Sequence, residues 1–335
     1  METNNINNTY GDGFSTEPGY MDPPQLTPAG VQAEIKKTRH KKEVPLYVFL
    51  IIVGLIACAI LVLRDVQGDG LLVEIREFLS DLPDLSSRDP ESIMQLAIVI
   101  LSLVFGTGAI ALMIIISLYQ MFRTYADQMS YSIRVSEKNY PEIYQKVREY
   151  TRLLGWKKEP EVYVQQMNGA LNAFTCWVPG KVFVQLNAEI VDIAYMEHKD
   201  FDTIFFVMAH EFGHAYLHHV QLYYSIWSML ASFIPVLGPN ILIPMLSRSR
   251  EYSADRVAQA LTGGVAQEDC MMLLGAGRHS YKYVDTQSYI SEIMAHYNVV
   301  ERFFRWLVNL LASHPIMPYR VQAILDPYKR SGRLL

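Results

Sequence analysis

The sequence predicts a mainly α protein with a small β-sheet, an α+β domain carried behind two N-terminal transmembrane helices. Three observations predict it. Two long runs near the N-terminus carry no charge. The later chain reads as helical from Pro141 to Gly155 and again from Asp202. Short strand-like segments gather round one turn, Pro179-Gly180. Composition agrees: charged residues are 19% of the 335 positions, below the ~25% of a soluble domain, which places part of the chain in lipid. The net charge of −5 argues against nucleic acid as a partner, since that calls for a basic face. Cys58, Cys176 and Cys270 have the spacing of neither a disulfide framework nor a zinc knuckle, and they read as free thiols in a reducing compartment.

Residues 1–34 are rich in Asn, Gly, Pro, Thr and acidic residues. They bury too little apolar surface to order themselves and are expected to form a disordered acidic tail. The tail does not read as a signal peptide, because the first long apolar run starts only at Val44. Residues 35–44 are a basic juxtamembrane segment with Lys36, Lys37, Arg39, Lys41 and Lys42. The uncharged run 45–63 is long enough to cross about 30 Å of hydrocarbon. A second run, 92–120, is bounded by Glu91 and Arg123. The alternative, two buried core helices, fits poorly with such lengths free of charge. The 64–91 loop holds three Arg and eight Asp or Glu. The basic residues outside the two spans place the N-terminus and everything from about residue 121 in the cytoplasm, with the loop on the far side.

Residues 121–335 then form one domain. Pro141 opens a helix that Gly155 closes, with Ile143, Val147, Leu153 and Leu154 at near-helical spacing. Residues 161–166 and 181–186 read as strands, and 172–178 reads as the first arm of a hairpin over Pro179-Gly180. Asp202 is expected to cap the apolar helix that follows.

That helix carries His-Glu-Phe-Gly-His at 210–214. Residues i and i+4 lie one above the other on a helix face, so His210 and His214 can offer two imidazoles to one tetrahedral Zn²⁺. Glu211 projects beside that face, where a carboxylate can take the proton of a water that zinc has acidified. The bland reading is a helix with two satisfied histidines. Zinc needs a third ligand, and Glu251 with Asp255, again i and i+4, supplies a candidate helix face in Ser249–Asp255. Glu251 would ligate the ion, and Asp255 would accept the second N–H of a ligating histidine. The bland reading there is a charged face paired with Arg250 and Arg256. His218 cannot be the third ligand, because positions i, i+4 and i+8 of one straight helix span about 12 Å. Leu217 and Val220 stand where the metzincin pattern needs Gly and His. His218 and His219 therefore read as helix-end residues that answer the dipole.

The set HEFGH, Glu251 within SREYSAD, Ser313-His314-Pro315, Arg320 and Leu171-Asn172-Ala173-Phe174 resembles the HtpX-type membrane zinc endopeptidases, relatives of the CAAX prenyl-protein proteases. The resemblance spans about residues 92–325 and implies a gluzincin-type metalloprotease domain. It implies His210, His214 and Glu251 as ligands of one Zn²⁺ per chain, and Glu211 as general base. Asn172 and Ala173 would belong to an edge strand that pairs with substrate backbone, and His314 would hold the oxyanion. Asp255 would orient a ligand and Arg320 would support or close the site. It also implies polypeptide substrates, misfolded or membrane proteins among them, and a place in a bacterial inner membrane with the catalytic domain cytoplasmic.

Between the zinc helix and Glu251 lies a further uncharged run, 220–247, broken by Pro235, Gly238, Pro239 and Pro244. Glu251 must share a side of the membrane with His210, and two crossings need roughly 40 residues. The run is too short, so it is expected to form a bent hairpin lying in or against the bilayer or packed on the two spans. A soluble buried hairpin is the alternative. The sequence thus points to a membrane-anchored zinc endopeptidase. A catalytically silent binding or assembly module and a CAAX-type prenyl-protein peptidase remain as rivals. Oligomeric state is open.

Overall fold

The computed structural model describes residues 27–64, 108–295, 298–326 and 332–335. Residues 1–26 of the expected tail, the 65–91 loop and residues 92–107 of the second apolar run lie outside them. The helices in chain order are α1 (Pro28–Ile35), α2 (Glu43–Arg64), α3 (Gly108–Tyr131), α4 (Pro141–Leu154), α5 (Ala188–Asp192), α6 (Phe201–Tyr216), α7 (Leu222–Ala231), α8 (Ile243–Thr262), α9 (Gln267–Ala276), α10 (Thr286–Ala295), α11 (Val299–Leu311) and α12 (Met317–Leu325). Four strands, β1 (Ile133–Arg134), β2 (Glu161–Gln165), β3 (Ala173–Val178) and β4 (Lys181–Asn187), form one sheet in the order β1-β2-β4-β3. The architecture is mostly helical with a small sheet, an α+β arrangement.

The sheet positions the cleft. β3 and β4 make an antiparallel hairpin that pairs Thr175 with Val184, while β2 runs parallel to β4. Gly180 takes φ +87° in the turn, a backbone state that costs glycine nothing. β4 is buried along most of its length because both faces are covered. One face meets α4 and α6 through Val184, Leu186, Ile143 and Phe206. The other meets α3, where Tyr125 and Met121 pack near Phe183. Among the described residues, β3 is left at the sheet edge with one side unpaired.

Two sequence expectations need correction at helix starts. Helix α1 falls inside the stretch read as tail. Thr27 caps it, Val31 and Ile35 are buried in the main core, and Gln32 donates to the Leu153 carbonyl. Polar composition concealed two apolar positions four apart, enough to dock two turns of helix. The cap of α6 is Asp200, not Asp202: its carboxylate accepts from the Thr203 amide at 3.0 Å and meets Lys282 at 2.7 Å.

Burial pushes the Asp200 carboxyl upward, but Lys282 and Thr203 outweigh it and hold the group at about 2. Its folded value is depressed, so its contribution is present above the unfolded value near 4 and is lost as pH falls through 2. Asp200→Ala is expected to cost roughly 1 kcal/mol at pH 7. Thermal unfolding of the two proteins should converge toward pH 2; a constant gap across that range would refute the assignment.

The 220–247 stretch folds as helix α7, a bend and the start of α8, and it packs on α2. Leu50 and Val53 of α2 meet Ala231, Leu242 and Leu246 in a small separate core. Gly238 makes the bend possible, because a Cβ there would run into the Ala231 carbonyl. Among the described residues, one helix, Glu43–Leu63, is long and apolar enough to cross a membrane.

Candidate metal centre

The centre lies where α6 crosses α8. Gly213 faces the Ala254 backbone, and a Cβ there would sit 3.1 Å from its Cα and carbonyl oxygen. The missing side chain lets the two helices approach until His210, His214 and Glu251 converge. Their candidate ligand atoms lie within 4.8 Å of one another. The two Nε2 atoms are 3.1 Å apart. Glu251 Oε2 is 3.5 Å from His210 Nε2, and Oε1 is 3.4 Å from His214 Nε2. Ligands bonded at about 2.0–2.2 Å in a tetrahedron have edges of about 3.3–3.6 Å. The three side chains are 10%, 15% and 8% exposed.

The donor set fits a cation. His210 Nδ1 lies 2.8 Å from Asp255 Oδ1, a bond in which the ring donates. That leaves Nε2, which faces the His214 Nε2, as the nitrogen that would give up its proton to a cation. Burial alone would lower His210, but Asp255 and Glu251 override it and hold the ring up at about 10. The centre therefore has a negative field, and a bound cation answers it in place of a proton.

Asp255 is itself clamped. Arg320 Nε donates to Oδ2 at 2.7 Å and Nη2 to Oδ1 at 2.7 Å, a two-pronged pair buried on both sides. Burial pushes Asp255 up, yet Arg320 and His210 hold it at about 2; burial likewise opposes the Arg320 charge, and Asp255 keeps it strongly cationic. The ion-pair reading with Arg250 and Arg256 does not describe Asp255.

Glu211 is 8% exposed and opens on a cleft of about 430 Å³. Asn172, just before β3, and Ala173, Phe174 and Thr175 of β3 line it, as do His314 and Arg320. His314 is 66% exposed, and its Nε2 is 3.6 Å from Glu251 Oε1. All nine residues singled out by the sequence thus line this cleft or support its wall.

Sequence reading missed three residues. The Thr175 hydroxyl donates to Glu211 Oε2 at 2.7 Å, which fixes the carboxylate, and its oxygen also lies 2.9 Å from the Glu211 carbonyl. The signal was available only as alternation along β3. His219 is not a helix-end residue facing the dipole. It is 6% exposed, and its Nδ1 lies 2.9 Å from His214 Nδ1. His218 takes φ 62°, and the His219 amide bonds the His214 carbonyl at 2.9 Å. This closing turn swings His219 back over His214. Burial pushes His219 down to about 3. Beyond it, Glu43 of α2 accepts from His219 Nε2 at 3.1 Å.

No curated protein and no solved structure matches the chain. The model of peptidase family M48 matches residues 137–328, more than half of the chain and every residue of the centre from Asn172 to Arg320, and the chain belongs to that family.

Proposed function

We propose that this M48 peptidase is a membrane-anchored zinc endopeptidase of the HtpX type. The observation that carries the reading is the convergence of two imidazole Nε2 atoms and the Glu251 carboxylate beside a second, separately held carboxylate, Glu211. His210, His214 and Glu251 would hold the zinc. When bound, zinc supplies a Lewis acid that polarises a carbonyl and acidifies water.

The rest of the chemistry belongs to the chain. The Thr175 hydroxyl occupies Glu211 Oε2 and leaves Oε1 free to take the proton of the attacking water and return it to the leaving amine. His314, on the cleft wall, is a donor for the oxygen on which negative charge develops. The open side of β3 would pair with an extended substrate segment, so backbone bonds provide affinity with little demand on sequence. Ile190, Phe206, Val207, Leu274 and Met317 make the cleft wall apolar. Peptide libraries are expected to show cleavage next to apolar side chains and poor turnover of charged ones.

Two features support the membrane anchor. Ile52, Leu55, Ile56 and Ile60 of α2 are exposed apolar positions on a helix of spanning length. Helix α11 is inverted: Asn309 is fully buried and bonded to the Leu334 carbonyl, while Phe303, Phe304, Val308 and Leu311 face outward. Glu43, at the N-terminal end of α2, touches the centre through His219, which favours a catalytic domain on the N-terminal side of that span.

The test is purification of the full chain in detergent with metal analysis and hydrolysis of an unfolded protein such as casein. One zinc per chain and hydrolysis that a chelator abolishes and Zn²⁺ restores are expected. Absence of both zinc and chelator-sensitive hydrolysis would overturn the reading.

A further inference from the structure

We infer that His219 and Glu43 form a positioning relay for His214, so that the first turn of the N-terminal apolar helix is a working part of the metal centre. The inference rests on the zinc reading above.

The hydrogen-bond directions argue it. If His214 presents its Nε2 lone pair to the ion, its single proton is on Nδ1. That N–H faces His219 Nδ1 at 2.9 Å, which must then be the acceptor. The His219 proton is thereby placed on Nε2, which donates to Glu43 Oε1 at 3.1 Å. The chain of donors runs one way, from ligand to carboxylate, with no clash of protons. Arg39 donates to the same Glu43 oxygen, Oε1, the Ser253 hydroxyl donates to Oε2, and Arg39 also donates to the Leu217 carbonyl at 2.8 Å. Ser253 accepts from the His40 amide at 2.9 Å. The side chains of His219 and Glu43 are nearly fully buried, 2% and 1% exposed.

The two ligating histidines are thus steadied differently. His210 rests on a carboxylate that α8 supplies within the catalytic domain. His214 rests on an imidazole whose carboxylate comes from 176 residues earlier in the chain. Glu43 begins the helix of membrane-spanning length. Displacement of that helix from α7 and α8 would therefore release the orientation of His214 and weaken the grip on the ion. Partners that orient a ligating histidine are typically worth about 10–100-fold in metal affinity.

The experiment measures Zn²⁺ affinity of the full chain in detergent by competition with a chelator, and the visible spectrum of the Co²⁺-loaded protein. His219→Leu removes both hydrogen bonds and is expected to weaken Zn²⁺ about 10–100-fold and alter the Co²⁺ bands. His219→Gln can accept from His214 and donate to Glu43, and it should recover most of the affinity. Glu43→Gln keeps an acceptor and should fall between them. If His219→Leu does not fold, the order wild type, His219→Gln, Glu43→Gln in affinity decides. Wild-type zinc binding with all variants within twofold of it would sink the relay alone. No zinc in the wild type would sink the metalloprotease reading instead.

Discussion

Glu211→Gln is expected to retain one zinc per chain and to lose hydrolysis by about 10²- to 10⁴-fold, the range for removal of a general base. The side chain supplies none of the three converging ligand atoms, so its replacement leaves the donor set intact. Glutamine is also nearly the same shape. Its amide oxygen can take the Thr175 hydroxyl that now bonds Glu211 Oε2 at 2.7 Å. The amide nitrogen then faces the cleft where a carboxylate oxygen stood. That nitrogen donates and cannot accept a proton, so the fold, the cleft and the metal survive while the proton acceptor is gone. Metal analysis and casein hydrolysis on the two proteins check both halves. Unchanged hydrolysis would remove Glu211 from the chemistry. Two inactive proteins without metal would favour the silent binding module instead.

Local periodicity made much of the site legible. His210 and His214, or Glu251 and Asp255, share a helix face by spacing alone, and α4 announces itself by Pro141 and Gly155. The hairpin of β3 and β4 is written in its Pro-Gly turn. What spacing could not supply is the meeting of distant segments. Thr175 and Glu211 are 36 residues apart, and only the strand register turns the threonine toward α6. His219 defeated the helical reading for a different reason: the helix ends at Tyr216, and a left-handed residue at 218 sends the next ring inward. A wheel drawn through 214–219 puts that ring elsewhere. Glu43 was overlooked because a basic cluster beside an apolar run reads as a membrane flank, although its carboxylate is the buried partner of both Arg39 and His219. The second apolar run stays an expectation over 92–107, which lie outside the described residues.

Arg320→Met is expected to cost about 3–5 kcal/mol of folding stability, the usual penalty for stranding one member of a buried ion pair. Arg320 is 10% exposed and Asp255 3%, so water cannot replace the guanidinium. For a domain of this size that is a fall of roughly 6–20 °C in the unfolding midpoint. The pH dependence gives the sharper check. In the wild type, burial pushes the Asp255 carboxyl up, and Arg320 with His210 brings it down to about 2. The folded value is below the unfolded one near 4, so this contribution is complete above pH 4 and disappears as pH falls through 2. Without Arg320 the upward push of burial meets less opposition, and Asp255 takes a proton at a higher pH. A protonated Asp255 no longer accepts as a carboxylate from His210 Nδ1, now 2.8 Å away, so the ligand loses its orientation together with the stability. Acid unfolding and acid release of zinc should therefore both begin at higher pH in Arg320→Met than in the wild type. Coincident acid midpoints for the two proteins would mean that Arg320 does not set the charge of Asp255.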